Sequence, residues 1–188
     1  MKTNPVEKLK KELKGMPKNF IVGIIMPNNS YEDLNMNLLR YIINDKKSSG
    51  AYVSISKPYN HTLSLLKKSG ISSNNIHFID CITKGLGTSL QGDSKCTLVN
   101  GPSNLTELGI VLHNFFISSK EKNRFLYIDS ISSLCIHNSL DSVLKFMHFI
   151  TAKMRVFELS GVMLSMHEET DQKIISNLSQ FCDKIVHL

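Results

Sequence analysis

Short apolar runs alternate with stretches of helical period along almost the whole chain. Phe20–Met26, nearly all apolar and rich in β-branched residues, reads as a strand buried on both faces. Ala51–Ser56, Ile76–Asp80, Arg124–Asp129 and Leu159–Ser165 repeat the signal. Between these runs, Leu34, Leu38, Leu39, Ile42 and Ile43 form one helical stripe. Leu108, Val111, Leu112, Phe115 and Phe116 form another, and Leu140, Val143, Leu144, Met147, Ile150 and Met154 a third. Doubly buried strands separated by helices require a parallel sheet covered on both sides, with right-handed crossovers.

Helix boundaries can be read from local chemistry. Ser30-Tyr31-Glu32-Asp33 resembles a capping box with an acid in place of the usual Glu or Gln, and Asn104-Leu105-Thr106-Glu107 is a second cap. A helix over about Tyr59–Ser69 ends at Gly70, another covers about Ser139–Arg155, and a short one near Asp171–Phe181 leads into the strand-like Lys184–Leu188. The segment Cys81–Lys95, with Gly85, Gly87 and Gly92, breaks the rhythm and is expected to be a long loop before a short strand at Cys96–Val99.

Two units are expected: a basic amphipathic arm over residues 1–19 and one α/β domain over residues 20–188. The arm holds six lysines against Glu7 and Glu12, and so carries much of the net charge of +6. Val6, Leu9, Leu13 and Met16 recur at helical spacing, so one face of the arm should pack on something. Lys8, Lys10, Lys11 and Lys14 are then candidate contacts for nucleic acid or a protein partner, or a solvated helix face. Apolar runs such as Phe20–Met26 are far shorter than the roughly 20 residues a membrane span needs. With no apolar leader before Phe20, a cytoplasmic location is expected. Cys81, Cys96, Cys135 and Cys182 are scattered without a Cys-x-x-Cys pair, and no two histidines stand at i, i+4. A metal site is not expected.

Several segments, in order, resemble the KaiC-like branch of the RecA ATPases, a group common in archaea. Phe125-Leu126-Tyr127-Ile128-Asp129-Ser130-Ile131-Ser132-Ser133-Leu134 resembles the Walker B strand and the turn after it. Gly50–Ser56 resembles the second core strand, Gly161–His167 the strand after the Walker B unit, and Phe181–Leu188 the closing strand. The resemblance spans about residues 20–188. It implies a three-layer αβα RecA-like core with a mostly parallel central sheet.

The family's phosphate-binding chemistry does not carry over residue by residue. A Walker A loop wraps phosphate with glycine amides, neutralises it with Lys and holds Mg²⁺ through Ser or Thr. The matching stretch, Met26-Pro27-Asn28-Asn29-Ser30-Tyr31-Glu32-Asp33-Leu34, has neither glycine nor lysine. Pro27 removes a donor, and Glu32 and Asp33 place negative charge where phosphate would sit. Ser56-Lys57-Pro58 stands where the resemblance implies a catalytic acid. Asn28, Asn29, Ser30, Asp129, Ser130 and His167 are the remnant of a nucleotide site. Asp129 could hold Mg²⁺ or water, or serve as a structural acceptor at a strand end. His167, Glu168 and Glu169 could sense a ligand or form a solvated loop.

The expected function is a pseudo-ATPase without catalytic residues that serves as a protein-interaction, signalling or regulatory module, with a protein partner or self-association. No cofactor is expected, with ATP and Mg²⁺ left open. The alternatives are a nucleic-acid-binding, recombinase-like accessory protein and a sensor of a nucleotide or other small ligand with a non-standard site. The chain lacks Trp and has no basic-aromatic cluster to stack bases. It also lacks a G-x-S-x-G elbow and a G-x-G-x-x-G fingerprint.

Overall fold

The computed structural model of the chain describes residues 5–87, 93–119, 121–167 and 172–188. Seven strands form one parallel sheet: β1 (Ile21–Met26), β2 (Ser49–Ser54), β3 (Ile76–Asp80), β4 (Cys96–Leu98), β5 (Arg124–Asp129), β6 (Ser160–Met166) and β7 (Lys184–His187). Their order is β4-β3-β2-β5-β6-β1-β7, and every neighbouring pair runs parallel. Among the described residues, seven α-helices accompany them: α1 (Pro5–Lys14), α2 (Tyr31–Arg40), α3 (Tyr59–Lys68), α4 (Leu105–Ser118), α5 (Ile131–His137), α6 (Leu140–Val156) and α7 (Gln172–Phe181).

Alternation of side chains along each strand creates two cores. Val22, Ile24, Tyr52, Phe78, Tyr127 and Leu164 face one way and meet α1, α2 and α3. Ala51, Val53, Ile79, Leu126, Ile128 and Met163 face the other way and meet α4, α5, α6 and α7. This gives the three layers expected from the doubly buried strands. The connections through α2 and α3 step in one direction along the sheet, and those through α4, α6 and α7 step back along the opposite face. The crossovers through these helices therefore share one hand.

Local sequence explains most boundaries. Asn104 Oδ1 accepts the Glu107 amide at 3.1 Å, while the Asn104 side-chain amide donates to Glu107 Oε2 at 3.0 Å. This reciprocal pair starts α4 as its sequence predicts. Ser139 likewise caps α6 by accepting from the Ser142 amide. The capping box expected at Ser30 does not form. A 3-10 turn over Asn28–Ser30 runs straight into α2, so backbone carbonyls take the first amides: Ser30 donates to Pro27 and Tyr31 to Asn28. The Ser30 hydroxyl turns instead to Asn29 Oδ1.

Leu9 and Leu13 of α1 are buried in the first core beside Leu38 and Leu39. Each such burial contributes about 1.5–3 kcal/mol. The solvated charge pair from Lys184 to Glu12 adds little beside that, so apolar packing holds α1 on the domain. Among the described residues, no helix is long and apolar enough to cross a membrane.

Candidate functional site

The carboxyl ends of β1, β2, β5 and β6 converge on one edge of the sheet, where α/β folds place their ligands. The strand register sets Ser54 beside Asp129 and Met26 beside Met166. Asn28, Asn29 and Ser30 follow β1, Asp129 and Ser130 end β5, and His167 follows β6. The residues that the resemblance implies as a nucleotide-site remnant thus share one edge, though they play different parts there.

Asp129 is buried at the centre of this edge. Its Oδ1 accepts a hydrogen bond from the Tyr31 hydroxyl. Its Oδ2 accepts from the Tyr52 hydroxyl and, at 2.7 Å, from the Asn35 amide. Asn35 Oδ1 in turn accepts from the Tyr127 hydroxyl at 2.7 Å. Three elements supply these donors: α2 gives Tyr31 and Asn35 one turn apart, β2 gives Tyr52, and β5 gives Tyr127. The rings of Tyr52 and Tyr127 stack with centroids 5.3 Å apart. Burial, reinforced by the neighbouring carboxylate, pushes the hydroxyls of Tyr31, Tyr52 and Tyr127 well above the usual tyrosine range. All three therefore remain protonated donors at neutral pH, which a buried carboxylate needs.

Ser130 is the cap of α5 and accepts from the Ser133 amide at 3.3 Å. Its hydroxyl also contacts those of Ser132 and Ser133, and Ser132 Oγ accepts the Met166 amide at 3.3 Å. The serine cluster ties α5 to β6. His167 is exposed; Glu168 and Glu169 lie outside the described residues. So do residues 88–92 of the loop after β3, Gly92 among them, while Gly85 and Gly87 belong to a 3-10 turn and its end.

The rim of the edge is also paired. Lys57, after β2, reaches Glu32 in the first turn of α2 at 3.1 Å. Asp80, buried at the end of β3, accepts the amides of Tyr59, Ile82 and Thr83 at 2.7, 2.7 and 3.0 Å. It caps α3 from outside the helix. Among the described residues, no three His, Cys, Asp or Glu side chains are grouped to hold a metal ion. Burial raises the thiols of Cys96 and Cys182 to about 12 and that of Cys81 higher still, so none of these three is a nucleophile at neutral pH.

The lysines of α1 point to a different region. Lys8 Nζ donates to the carbonyl of His187, and Lys10 lies 3.7 Å from Asp45. Lys11 and Lys14 are exposed on the same helix.

The Tyr31–Asp129 link was not legible in the sequence, because 98 positions separate the two residues. A signal existed nonetheless. Tyr31 and Asn35 stand four residues apart, in line with Leu34 and Leu38, and a polar residue on a buried helix face must find a partner.

No protein-family model and no curated protein matches the chain. Solved structures do share its fold. An uncharacterized protein of Pyrococcus horikoshii, crystallised in complex with an unknown peptide, matches with a TM-score of 0.73 at 11% identity, over 96% of this chain and 82% of that one. A KaiC-like protein of the same organism matches with a TM-score of 0.67 at 10% identity, over 93% and 74% of the two chains. The flagellar accessory protein FlaH of Methanocaldococcus jannaschii gives a TM-score of 0.61 at 13% identity, over 98% and 77%. Likeness at such identities establishes the architecture alone, and that architecture is the RecA-like α/β fold of KaiC-like proteins.

Proposed function

We propose that this RecA-like domain is a pseudo-ATPase, a catalytically silent module that works by binding another protein. One observation carries the reading: both oxygens of Asp129, the only acid of the Walker B-like strand, are already occupied by donors from the protein itself. A Mg²⁺ ion is bound through carboxylate and phosphate oxygens. Tyr31, Asn35 and Tyr52 would all have to withdraw from a buried carboxylate to admit one, which forfeits about 1.5–3 kcal/mol for each charge-assisted bond.

The surroundings of Asp129 fit a nucleotide no better. Pro27 and one 3-10 turn fill the space between β1 and α2, and Glu32 and Asp33 stand in the first turn of that helix. Phosphoryl transfer depends on positioning and electrostatic stabilisation; the stretch from Met26 to Leu34 supplies neither a glycine cradle nor a lysine, and Lys57 at the rim is paired with Glu32. These residues do not fit Mg-nucleotide. A neighbour of the same fold binds a peptide, which supports protein binding as the retained role. The exposed lysines of α1, Lys8, Lys10, Lys11 and Lys14, would act as an accessory tether.

Calorimetric titration of the whole protein with MgATP, MgADP and MgATP-γ-S tests the reading. No heat up to millimolar nucleotide is expected. Micromolar binding that disappears in Asp129→Ala would overturn it.

A further inference from the structure

Helices α4 and α6 lie side by side over the second core, and a groove of about 700 Å³ runs between them on the outer face of the domain. Gly109 lets the rings of Phe146 and Phe149 pack close against α4 at its floor. Ile110, 57% exposed, and Phe149, 45% exposed, both line it. Single exposed apolar residues are ordinary on a protein surface, but large ones gathered in one groove mark a binding site.

The charges around the groove are one-sided. Lys145 and Lys153 line it, each one helical turn from Phe149 on α6, and among the described residues no carboxylate does. Neither lysine forms an ion pair among the described residues. The Lys153 ammonium instead lies over the Phe149 ring, 5.5 Å from its centre. His113, in the opposite wall, has a buried Nδ1 with no hydrogen-bond partner among the described residues. The groove therefore offers apolar surface and two cations without counter-ions.

Resting on the interaction-module reading and deepening it, we infer that this groove receives an amphipathic helix of a partner protein whose apolar stripe is flanked by acidic residues. Helix-in-groove recognition uses apolar anchors at i, i+3 or i+4, and i+7. Lys145 and Lys153 are about 12 Å apart along the α6 axis, a separation matched by carboxylates two turns apart on a docked helix. Other occupants fit less well. A phosphate polymer would satisfy the lysines and leave Ile110 and Phe149 in water. A neutral apolar helix would cover the lysines without a counter-charge. A second copy of this chain would bring a net charge of +6 to a basic groove.

The test uses the full chain and two capped synthetic helical peptides that share one leucine stripe, flanked by glutamate in one and by lysine in the other. Binding is read by fluorescence anisotropy, and amide shifts map the site. The glutamate peptide should bind at least about tenfold more tightly, with shifts centred on α4 and α6. Lys145→Glu combined with Lys153→Glu should reverse the preference; Lys145 is exposed and Lys153 half-buried, and neither belongs to the core. Phe149→Ala should weaken both peptides. Equal binding of the two peptides, shifts centred elsewhere, or a sedimentation dimer abolished by Phe149→Ala would overturn the inference. The two proposals fail separately. Nucleotide binding in the calorimeter overturns the pseudo-ATPase reading whatever the peptides do, whereas unselective peptides with no nucleotide binding overturn the groove assignment alone.

Discussion

Lys57 and Glu32 meet at 3.1 Å across the carboxyl edge of the sheet, joining the turn after β2 to the first turn of α2. In the ATPases that this chain resembles, a lysine is implied near the start of that helix and an acid after that strand. Here the signs are exchanged and the two charges satisfy each other. The pair stands at the rim, above the buried Asp129 network, so the edge is closed by charge outside and by hydrogen bonds inside.

Charge exchange tests the pair. Lys57→Glu sets two carboxylates together and should lower stability by about 0.2–1 kcal/mol, the scale of a partly exposed ion pair. Adding Glu32→Lys should recover most of that loss. The coupling follows from a double-mutant cycle of urea unfolding curves, and additive effects would show that the contact carries no energy.

Removing a donor from Asp129 should cost more. Tyr31→Phe deletes one hydrogen bond to a buried carboxylate, worth about 1.5–3 kcal/mol. Asp129→Ala strands three donors at once and should cost about 3 kcal/mol or more. Chemical denaturation at pH 7 measures both. A neutral Asp129→Ala would mean that the network is held by packing of its rings rather than by the carboxylate.

Alkaline pH should weaken the fold. Tyrosines of the unfolded chain ionise near pH 10, whereas burial keeps Tyr31, Tyr52 and Tyr127 protonated above that point in the folded state. The unfolded state then binds fewer protons, so stability falls as pH rises. Their contribution is complete below about pH 10, and each then loses up to about 1.4 kcal/mol per pH unit until its folded pKa is reached. Urea midpoints measured between pH 8 and pH 11 should show the decline, and a flat profile would contradict burial of these hydroxyls.

Gly50 should tolerate no side chain. A Cβ there would lie 2.1 Å from the Phe125 carbonyl oxygen and 2.7 Å from its ring. Because backbone cannot swing aside, Gly50→Ala should exceed the usual 1–3 kcal/mol overpacking penalty, roughly. Thermal unfolding by circular dichroism would show the loss. An unchanged midpoint would mean that β2 and β5 can separate there without cost.

How far the sequence reveals this molecule depends on the range of the forces involved. Ile76–Asp80 and Arg124–Asp129 are strands with the predicted limits, because apolar composition and strand length leave little choice. The Asn104 cap is similarly local. Helix α5 is not legible in the sequence: seven residues give too little periodicity, and Ser130–Leu134 reads as the turn after the strand that ends at Asp129. The Ser30 cap failed because a preceding 3-10 turn had already satisfied the helix amides. Asp129 is legible as a candidate but its partners are not, since Tyr31 and Asn35 reach it only when α2 docks on the sheet and Tyr52 only when β2 pairs with β5.

The short passage from β1 to α2 bears on what could be rebuilt here. Pro27 alone separates the end of β1 from the 3-10 turn that opens into α2. A Walker A loop sets six residues, G-x-x-x-x-G, before its Lys, whereas four, Pro27 to Ser30, join β1 to α2, so replacing side chains one by one would leave the strand and helix too close together. Re-engineering a nucleotide grip would call for an insertion, together with removal of Tyr31 from the face of α2 that now meets Asp129. Chain length, more than residue identity, is the barrier that a designer would meet first.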